Sequence, residues 1–461
     1  MFLRDTGHIS NRTAIADAFG NEFTYGGLET LSLEYKNYVP ERSLVMILCD
    51  YAIESVAFYY CQMINHAVPM LMDKNLKPDL LLKIIRVYEP QFIWCTPGFV
   101  HLLGDLVSGV VIQKGNHLLV KTRCKPYKVY ARLALLLTTS GSTGSLKFVR
   151  LSYENLRCNI RAYTEKLDIR EDDRGITTLP MYYCYGLSIL HMHWMVGACV
   201  YVTDASMLDV SFWDLFASAR ITDFAGVPYT YDILKQIGFL DRKYESLRFM
   251  TQAGARLSDE RQREFGTKLQ ARGVKFYLCY GQTEATTYIS LLDHEKAVEK
   301  TGSVGAPIPG VAISVINAND RGEGELVCEG PSVSLGYAVG QSDLIRGNDH
   351  AGYWNTGDIV YVDGEGDLFI KGRKSRFVKI LGARVSLDDL EATLTEYFPG
   401  EKFACAGEDN KIRIYYLKDS LEKEIMKFCS NELSIPRKLV ECRFIKEIPY
   451  TDRGKIAYTK L

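Results

Sequence analysis

The stretch RSLVMILCDYAIESVAFYYCQMINHAVPMLMD, residues 42–73, decides the class of fold. Residues 42–50 form a short apolar run that predicts a buried strand. Residues 53–67 carry apolar side chains at helical spacing, and residues 68–73 return to a strand pattern. A strand, a helix and a strand in this order form a βαβ unit, which predicts parallel strands in a sheet covered by helices.

The same alternation continues along the chain. Residues 152–167 predict a helix with Ser152 as its N-cap, and strand patterns recur at 198–204, 222–228, 248–254 and 274–281. Short strands with Gly and Asp turns follow residue 300. The sequence therefore predicts an α/β fold. A large N-terminal domain, residues 1–372, has mostly parallel sheets flanked by helices and a β-rich subdomain at about 300–372. A small α+β C-terminal domain spans residues 373–461.

Composition narrows the class of protein. Of the 461 residues, 47% are hydrophobic and 24% are charged, with a net charge of -1, so neither a nucleic-acid nor a membrane-surface partner is indicated. The 12 cysteines form no CxxC pair, which favours reduced thiols in a cytoplasmic protein. The N-terminus lacks a signal-peptide pattern. The longest apolar stretch, residues 187–202, contains His191 and His193 and is too short and polar to span a membrane.

A loop rich in small residues follows the predicted strand LALLLTT, residues 133–139. It reads TTSGSTGSLK, residues 138–147. Glycines let backbone N–H groups approach an anion, hydroxyls add donors, and Lys147 adds a positive charge. The stretch lacks the GxxxxGK[ST] pattern of a P-loop. It therefore indicates a phosphate site of another type, with a flexible surface loop as the alternative.

Three further motifs carry polar side chains after predicted strands or turns. YGQTEAT, residues 280–286, offers Glu284 as an oxygen ligand for Mg²⁺. Asp358, in YWNTGD, suits the two hydroxyls of a ribose. Lys455 follows a glycine turn near the C-terminus. Each motif alone is equally typical of a solvated loop, and a terminal lysine is more often a solvated charge.

Together these motifs resemble the adenylate-forming superfamily, in its branch of acyl-CoA synthetases and AMP-dependent acid ligases. The resemblance rests on seven motifs in order, and it covers nearly the whole chain. They are TSGSTG…K (139–147), LPMYYCYGLS (179–188), TQAGARLS (251–258), YGQTE (280–284), YWNTGD (353–358), GRKSRFVKILGARVSLDDLE (372–391) and RGKIAYTKL (453–461).

The resemblance implies a nucleotide site for ATP. The β- and γ-phosphates would be wrapped by the residues of the small-residue loop, which are Thr139, Ser140, Gly141, Ser142, Thr143, Gly144 and the nearby Lys147. Gly254 and Ala255 would form the turn at the adenine, with Tyr280 and Gly281 close to it. Asp358 would bind the ribose hydroxyls, supported by Arg373.

The resemblance also implies the catalytic groups. Thr283 would contact the α-phosphate, Glu284 would hold Mg²⁺, and Lys455 would bridge the carboxylate and the α-phosphate. The C-terminal domain would be mobile and would turn about Ser375 between two half-reactions. That rotation would withdraw Lys455 and bring Lys379, with Gly382 and Arg384, to the active site.

The implied reaction joins a carboxylic acid to a thiol. The acid and ATP give an acyl-adenylate and pyrophosphate, and the thiol of CoA, or of phosphopantetheine on an acyl carrier protein, then displaces AMP. The resemblance places the acid pocket around Tyr183, Tyr185, Leu187, Ala253 and Gln282. No aspartate stands in MYYCYGLS to pair an ammonium group, which favours a small acid without an α-amino group.

Two positions depart from the family pattern. Phe148 stands where a glycine usually follows the lysine of the phosphate loop, and Tyr183 stands where the family carries histidine. The alternatives to an acid–thiol ligase are an amino-acid adenylating ligase that loads a carrier protein, a luciferase-type oxidoreductase, and a non-catalytic homologue. The sequence leaves open which acid is used, and whether CoA or a carrier protein accepts it.

Overall fold

The structure is a computed structural model, and it describes residues 9–138, 147–380, 383–408, 410–433, 435–451 and 455–461. For residues 375, 377, 379, 383 and 384 the description extends to the backbone alone.

Helices and strands alternate over most of the chain. The strands are β1 (Thr13–Asp17), β2 (Glu22–Thr24), β3 (Leu44–Cys49), β4 (Val68–Asp73), β5 (Phe92–Cys95), β6 (Val107–Lys114), β7 (His117–Thr122), β8 (Leu133–Thr138), β9 (Phe148–Ser152), β10 (Arg174–Ile176), β11 (Cys199–Val202), β12 (Asp223–Gly226), β13 (Phe249–Gln252), β14 (Lys275–Tyr280), β15 (Ser290–Leu292), β16 (Ser303–Pro307), β17 (Ala312–Ile316), β18 (Gly324–Glu329), β19 (Gly336–Ala338), β20 (Tyr353–Val362), β21 (Leu368–Arg373), β22 (Phe377–Ile380), β23 (Ala383–Ser386), β24 (Phe403–Glu408), β25 (Lys411–Tyr416) and β26 (Val440–Phe444). The α-helices are α1 (Tyr25–Lys36), α2 (Ile53–Ile64), α3 (Pro78–Tyr88), α4 (Pro97–Leu103), α5 (Tyr153–Lys166), α6 (Cys184–Val196), α7 (Val210–Ser218), α8 (Pro228–Gln236), α9 (Asp259–Gln270), α10 (Leu387–Tyr397) and α11 (Glu422–Asn431).

The βαβ unit at residues 42–73 forms the centre of an eight-stranded sheet, ordered β19-β9-β8-β4-β3-β5-β7-β6. β3 pairs in parallel with β4 and β5, and β4 pairs in parallel with β8. Every residue of β3 is buried, and its side chains alternate between two cores. Val45 and Ile47 pack in one core, while Met46 and Leu48 pack in the other. Successive side chains of β3 therefore point to opposite faces of the sheet, and both faces are covered. This confirms the predicted βαβ unit.

A second, nine-stranded sheet has the order β12-β13-β14-β15-β16-β21-β20-β18-β17. Its first three strands are parallel and the rest are antiparallel. The β-rich stretch at about 300–372 therefore extends this sheet through β15 instead of standing apart from it. The predicted α/β class is confirmed. Both large sheets are mixed, and their parallel pairs lie at the centre of the first sheet and at one end of the second.

The nine-stranded sheet is strongly curled. β14 and β20 are four places apart in the strand order, which would separate them by about 19 Å in a flat sheet. The hydroxyl of Tyr280 on β14 nevertheless lies 2.5 Å from a carboxylate oxygen of Asp358 on β20. Apolar side chains fill the space between, and Leu326 and Val360 are fully buried there. The curl brings the two halves of the sheet face to face.

The remaining strands form three small sheets. β10, β11, β1 and β2 make a four-stranded sheet, while β22–β23 and β24–β25–β26 lie in the C-terminal region. Residues 378–440 have an apolar core of their own, with Leu394, Ile414 and Ile425 at its centre. Within the described residues, none of the helices has the length and apolar character needed to cross a membrane.

The C-terminal region rests on the large domain through a few polar and aromatic contacts. The ammonium of Lys402 lies 2.8 Å from a carboxylate oxygen of Asp232 on α8. The ring of Tyr450 stacks on that of Tyr229 at the start of α8, with 5.5 Å between centroids. These contacts set the C-terminal region against the edge at which β12 and β13 end.

Candidate active site

The carboxyl ends of parallel strands form one edge in each large sheet, where ligands of such folds bind. β8 ends at Thr138 in the first sheet, and the predicted phosphate loop, Thr139 to Gly144, follows but lies outside the described residues. β13 and β14 end at Gln252 and Tyr280 in the second sheet. The predicted site residues around Gly254 and Glu284 therefore follow directly from these strand ends.

Asp358 is buried at the centre of a hydrogen-bonded cluster. One carboxylate oxygen accepts from the hydroxyl of Tyr280 at 2.5 Å and from the amide of Gln282 at 2.6 Å. The other oxygen lies 3.1 Å from Nε of Arg373, because Asp358 and Arg373 are directly opposite in the β20–β21 pair. Burial, together with the neighbouring carboxylate, raises the pKa of Tyr280, which keeps its hydroxyl a donor. The cluster fixes the position of the Asp358 carboxyl group.

The side chain of Gln282, which was predicted to line the acid pocket, is hydrogen-bonded to residues of the YWNTGD motif. Its side-chain nitrogen donates to Asp358 and to the carbonyl of Thr356 at 3.0 Å, and its oxygen accepts from the indole of Trp354 at 3.0 Å. The side-chain amide of Gln282 therefore makes its hydrogen bonds to the segment that carries Asp358. Sequence reasoning missed Trp354 and Thr356, although both stand in the YWNTGD motif that identified Asp358.

Glu284 is held by a tyrosine from a distant part of the chain. The hydroxyl of Tyr337 on β19 donates to Glu284 Oε1 at 2.7 Å. The ammonium of Lys147 lies over the same ring, 3.3 Å from its centroid. Burial, with Glu284 alongside, raises the pKa of Tyr337, so the hydroxyl stays protonated. Lys147 and Glu284 therefore both contact Tyr337, Lys147 at the face of its ring and Glu284 at its hydroxyl.

Phe148 explains one departure from the family pattern. It is fully buried as the first residue of β9 and packs edge-on against Tyr88, with ring centroids 5.1 Å apart. β9 also pairs with β19, which carries Tyr337. The phenylalanine therefore anchors the strand that sets Lys147 over Tyr337.

The turn after β13 is held tightly. Gly254 has a φ of 93°, which favours glycine, and a side-chain carbon there would lie 2.8 Å from the hydroxyl of Tyr183. The buried amide of Gln252 donates to the carbonyls of Ala253 and Ala255 at 3.0 and 2.8 Å. Sequence reasoning missed Gln252, which fixes the shape of the turn predicted at the adenine.

Three of the residues predicted to line the acid pocket, Tyr183, Tyr185 and Leu187, lie at the start of α6 or directly before it. Tyr183 caps this helix and lies against Gly254, while the hydroxyl of Tyr185 lies 2.8 Å from Thr251 Oγ1. Leu187 is buried in the main core. The hydroxyl of Thr283, predicted to meet the α-phosphate, donates to the sulfur of Cys184 at 3.4 Å. The turn after β14 therefore closes directly onto α6.

Lys455 lies in one of two short segments of the C-terminal region, residues 450–451 and 455–456, which pair antiparallel and are named the Lys455 hairpin. The backbone N–H of Thr451 donates to the carbonyl of Lys455 at 2.7 Å, and Tyr450 bridges to Ile456. The stack of Tyr450 on Tyr229 therefore sets this hairpin beside the start of α8. The side chains of Ser375 and Lys379, and all of Gly382, lie outside the described residues.

A buried carboxylate links the predicted hinge segment to the residues that follow this hairpin. Glu391 on α10 lies 2.7 Å from the guanidinium of Arg376 and accepts from the hydroxyl of Tyr458 at 2.8 Å. The guanidinium also lies over the ring of Tyr458, 3.8 Å from its centroid. Burial raises the pKa of Glu391 to about 7. The network joins the residue after Ser375 to a residue three positions beyond Lys455.

Known proteins share this arrangement of sequence and fold. The family described as AMP-binding enzyme matches residues 112–338. The 2-succinylbenzoate–CoA ligase of Staphylococcus aureus (strain MRSA252) is 25% identical over 494 aligned residues, covering 99% of this chain and 98% of that protein. The o-succinylbenzoate CoA synthetase of Bacillus subtilis with its acyl-adenylate intermediate has a TM-score of 0.79 at 18% identity, covering 100% of this chain and 97% of that one. ATP-bound MatB from Rhodopseudomonas palustris has a TM-score of 0.81 at 20% identity, covering 99% and 96%.

The match to the AMP-binding enzyme family covers residues 112–338, slightly less than half of the chain.

The resemblance to adenylate-forming enzymes drawn from seven motifs is thereby confirmed. The range that matches the AMP-binding enzyme family includes Lys147, Gly254, Glu284 and Tyr337. Mg²⁺ that accompanies a nucleotide is usually held by one or two carboxylates together with phosphate oxygens. Glu284 fits this need, because its carboxylate is fixed by Tyr337 beside the positive charge of Lys147.

Proposed function

We propose that this protein is an ATP-dependent ligase that joins a small carboxylic acid to a thiol through an acyl-adenylate. The observation that carries the proposal is the Asp358 cluster, in which Tyr280, Gln282 and Arg373 fix one buried carboxylate. A fixed carboxylate is suited to accept both hydroxyls of a ribose. The S. aureus and B. subtilis relatives, which are named as acid–CoA ligases, support the same activity.

In the first half-reaction an oxygen of the acid attacks the α-phosphorus of ATP, and pyrophosphate leaves. Lys147 would bind the departing phosphates together with the loop at 139–144, and Lys455 would bind the acid and the α-phosphate. Bound Mg²⁺ would supply further positive charge at Glu284. Fixed positive charges and donors stabilise the charge that builds on the phosphoryl oxygens.

In the second half-reaction a thiol attacks the acyl carbon, and AMP leaves. We assign CoA as the acceptor, because the relatives are named as CoA ligases; a carrier-protein phosphopantetheine is the alternative. Residues 373–461 would turn about Ser375 as one unit and bring Lys379 to the site. The separate apolar core of residues 378–440 supports such a unit.

The other candidates find less support. An amino-acid adenylating ligase needs a carboxylate for the substrate ammonium, and residues 181–188 carry none. A luciferase-type oxidoreductase would consume oxygen, and a non-catalytic homologue would form no adenylate. We also propose a cytoplasmic location, because the 12 free cysteines suit a reducing compartment.

Exchange of labelled pyrophosphate into ATP, measured with a panel of carboxylic acids, tests the proposal. We expect Asp358→Asn to raise the KM for ATP roughly tenfold, because a hydrogen bond to a charged group contributes about 1.5–3 kcal/mol. Asp363→Asn is the matched control, since Asp363 follows the same strand but binds Lys300 at 2.8 Å. Acid-independent exchange, or equal KM values in both variants, would contradict the assignment.

The acceptor is tested on the acid that supports exchange. We expect AMP release to require CoA, and a phosphopantetheinylated carrier protein to replace it poorly. Oxygen uptake is recorded in the same reaction. A carrier that outperforms CoA, or oxygen consumed in step with AMP, would identify one of the other activities.

A further inference from the structure

Four segments meet around the predicted acid pocket. They are the first half of α6, the end of β12, the turn after β13, and the segment from β14 to residue 288. Tyr183 contacts Gly254, and a side-chain carbon on Gly254 would also lie 3.0 Å from Val227. Cys184 contacts Thr283, and its carbonyl accepts from the hydroxyl of Thr287 at 3.4 Å. The walls therefore come from all four segments.

The uncharged polar groups of these walls include hydroxyls that are hydrogen-bonded to one another or to backbone carbonyls, and the adjoining α8 adds the hydroxyl of Tyr231. The hydroxyl of Tyr185 lies 2.8 Å from Thr251 Oγ1, and that of Tyr288 lies 2.6 Å from Ser188 Oγ. The hydroxyl of Tyr231 donates to the carbonyl of Thr251 at 2.8 Å. Burial raises the pKa of Tyr185 and of Tyr288, so both remain uncharged.

The acidic and basic side chains of the same segments already have partners. Residues 183–196, 223–227, 249–254 and 280–288 contain His191, His193, Asp223 and Glu284. His193 lies 2.9 Å from Asp223, and its other nitrogen lies 2.8 Å from the carbonyl of Ile189. His191 lies 2.7 Å from the hydroxyl of Tyr59, and burial lowers its pKa to about 3, so it is neutral. Glu284 binds Tyr337.

We infer that the acid used by this enzyme carries one ionic group, the carboxylate that is activated, and an otherwise uncharged body. The inference rests on the proposed function. A second carboxylate or an ammonium in this pocket would be buried among hydroxyls with no opposite charge to spare in these four segments, and an unpaired buried charge is strongly unfavourable. 2-Succinylbenzoate, which names the relatives, has two carboxylates, so this chain differs from them in substrate class.

Aromatic rings pack against one another in the same region. Tyr163 stacks on Tyr288 with 3.4 Å between centroids, and Tyr185 meets Tyr288 edge-on at 6.1 Å. Tyr185 and Tyr288 are 2% and 1% exposed. An uncharged body can pack on these rings without the loss of a hydration shell.

Pyrophosphate exchange with matched pairs of acids tests the inference. The pairs are 3-benzoylpropanoate and 2-succinylbenzoate, benzoate and phthalate, and butanoate and succinate. We expect kcat/KM to be at least tenfold higher for the monocarboxylate of the pair that fits best. Equal or better exchange with the dicarboxylate overturns the single-charge inference while leaving the ligase function intact. Pyrophosphate exchange that proceeds in the absence of any added acid overturns the ligase function itself.

A second test adds the missing charge. Tyr183→Arg places a guanidinium beside Gly254, and we expect the preference for the monocarboxylate to fall roughly tenfold. Tyr183→Phe removes the hydroxyl without adding charge and should keep the preference. Tyr183→His, compared at pH 5.5 and pH 8, gives the same contrast with a smaller side chain if the arginine variant unfolds early in a thermal scan. An unchanged preference in a folded cationic variant overturns the inference.

Discussion

Single side chains set the distances between charges in this site, and Tyr337 shows how. Its hydroxyl binds Glu284, and its ring lies under the ammonium of Lys147. A cation above an aromatic face and a donor to a carboxylate are separate interactions on one residue. Removing them one at a time distinguishes their contributions.

We expect Tyr337→Phe to keep the contact with Lys147 and lose the bond to Glu284. The Mg²⁺ concentration for half-maximal exchange should rise roughly tenfold, which corresponds to about 1.4 kcal/mol. Tyr337→Leu should lose the ring contact as well and further raise the KM for ATP. Tyr361 is the matched control, because it stacks on Phe369 with Lys371 over its ring at 5.0 Å, away from Glu284. Identical Mg²⁺ dependence in wild type and Tyr337→Phe would disprove this role.

At the scale of elements, the turn after β14 fixes where Thr283 and Glu284 lie. Gly281 starts that turn, and a side-chain carbon there would lie 1.7 Å from the carbonyl oxygen of Thr287. The backbone at Gly281 therefore lies so close to the backbone at Thr287 that an alanine at position 281 would not fit.

Gly281→Ala should destabilise the protein by about 3 kcal/mol and abolish exchange, because backbone atoms must move to relieve the overlap. Thermal unfolding and exchange measured on the same preparation check this. Gly98→Ala is the control, since a side-chain carbon at Gly98 in α4 would meet no atom of the described residues within 4 Å, and alanine favours a helix. A Gly281→Ala variant as stable and active as Gly98→Ala would contradict the close approach.

Elements and motifs were predictable from sequence to different extents. β3, α2 and β4 follow from local periodicity, and Asp358 and Glu284 follow from motifs that stand close to strands and turns. The residues that bind these side chains could not be predicted from the sequence in the same way. Tyr337 is 53 residues from Glu284, and Trp354 is 72 residues from Gln282. Such contacts depend on the curl of the nine-stranded sheet and on the β9–β19 pair, which no local pattern records.

At the scale of the whole molecule, the C-terminal region contacts α8 through Lys402–Asp232 and Tyr450–Tyr229. The Tyr450–Tyr229 stack sets the Lys455 hairpin beside the start of α8, and the Lys402–Asp232 pair ties the segment before β24 to the same helix. In the rotation proposed here, they would exist in the adenylating arrangement and break for thioester formation. A contact present in one arrangement alone shifts the balance between the two.

We expect Lys402→Ala combined with Tyr450→Ala to slow pyrophosphate exchange roughly fivefold, because the two exposed contacts together contribute about 1 kcal/mol. Thioester formation from preformed acyl-adenylate should be unchanged or faster. Lys411→Ala is the control, since Lys411 pairs with Glu441 inside the C-terminal region at 3.3 Å. Equal slowing of both half-reactions would argue against a contact specific to adenylation.

The curl of the nine-stranded sheet has a thermodynamic consequence. β14 and β20 are not neighbours in the ladder, so the bonds of Tyr280 and Gln282 to Asp358 join halves that backbone pairing leaves far apart. A ligand that binds the native state adds to the free energy of unfolding. A nucleotide at Asp358 would therefore couple the local opening of the parallel half to that of the antiparallel half. The two halves would then exchange their amide hydrogens as one cooperative unit.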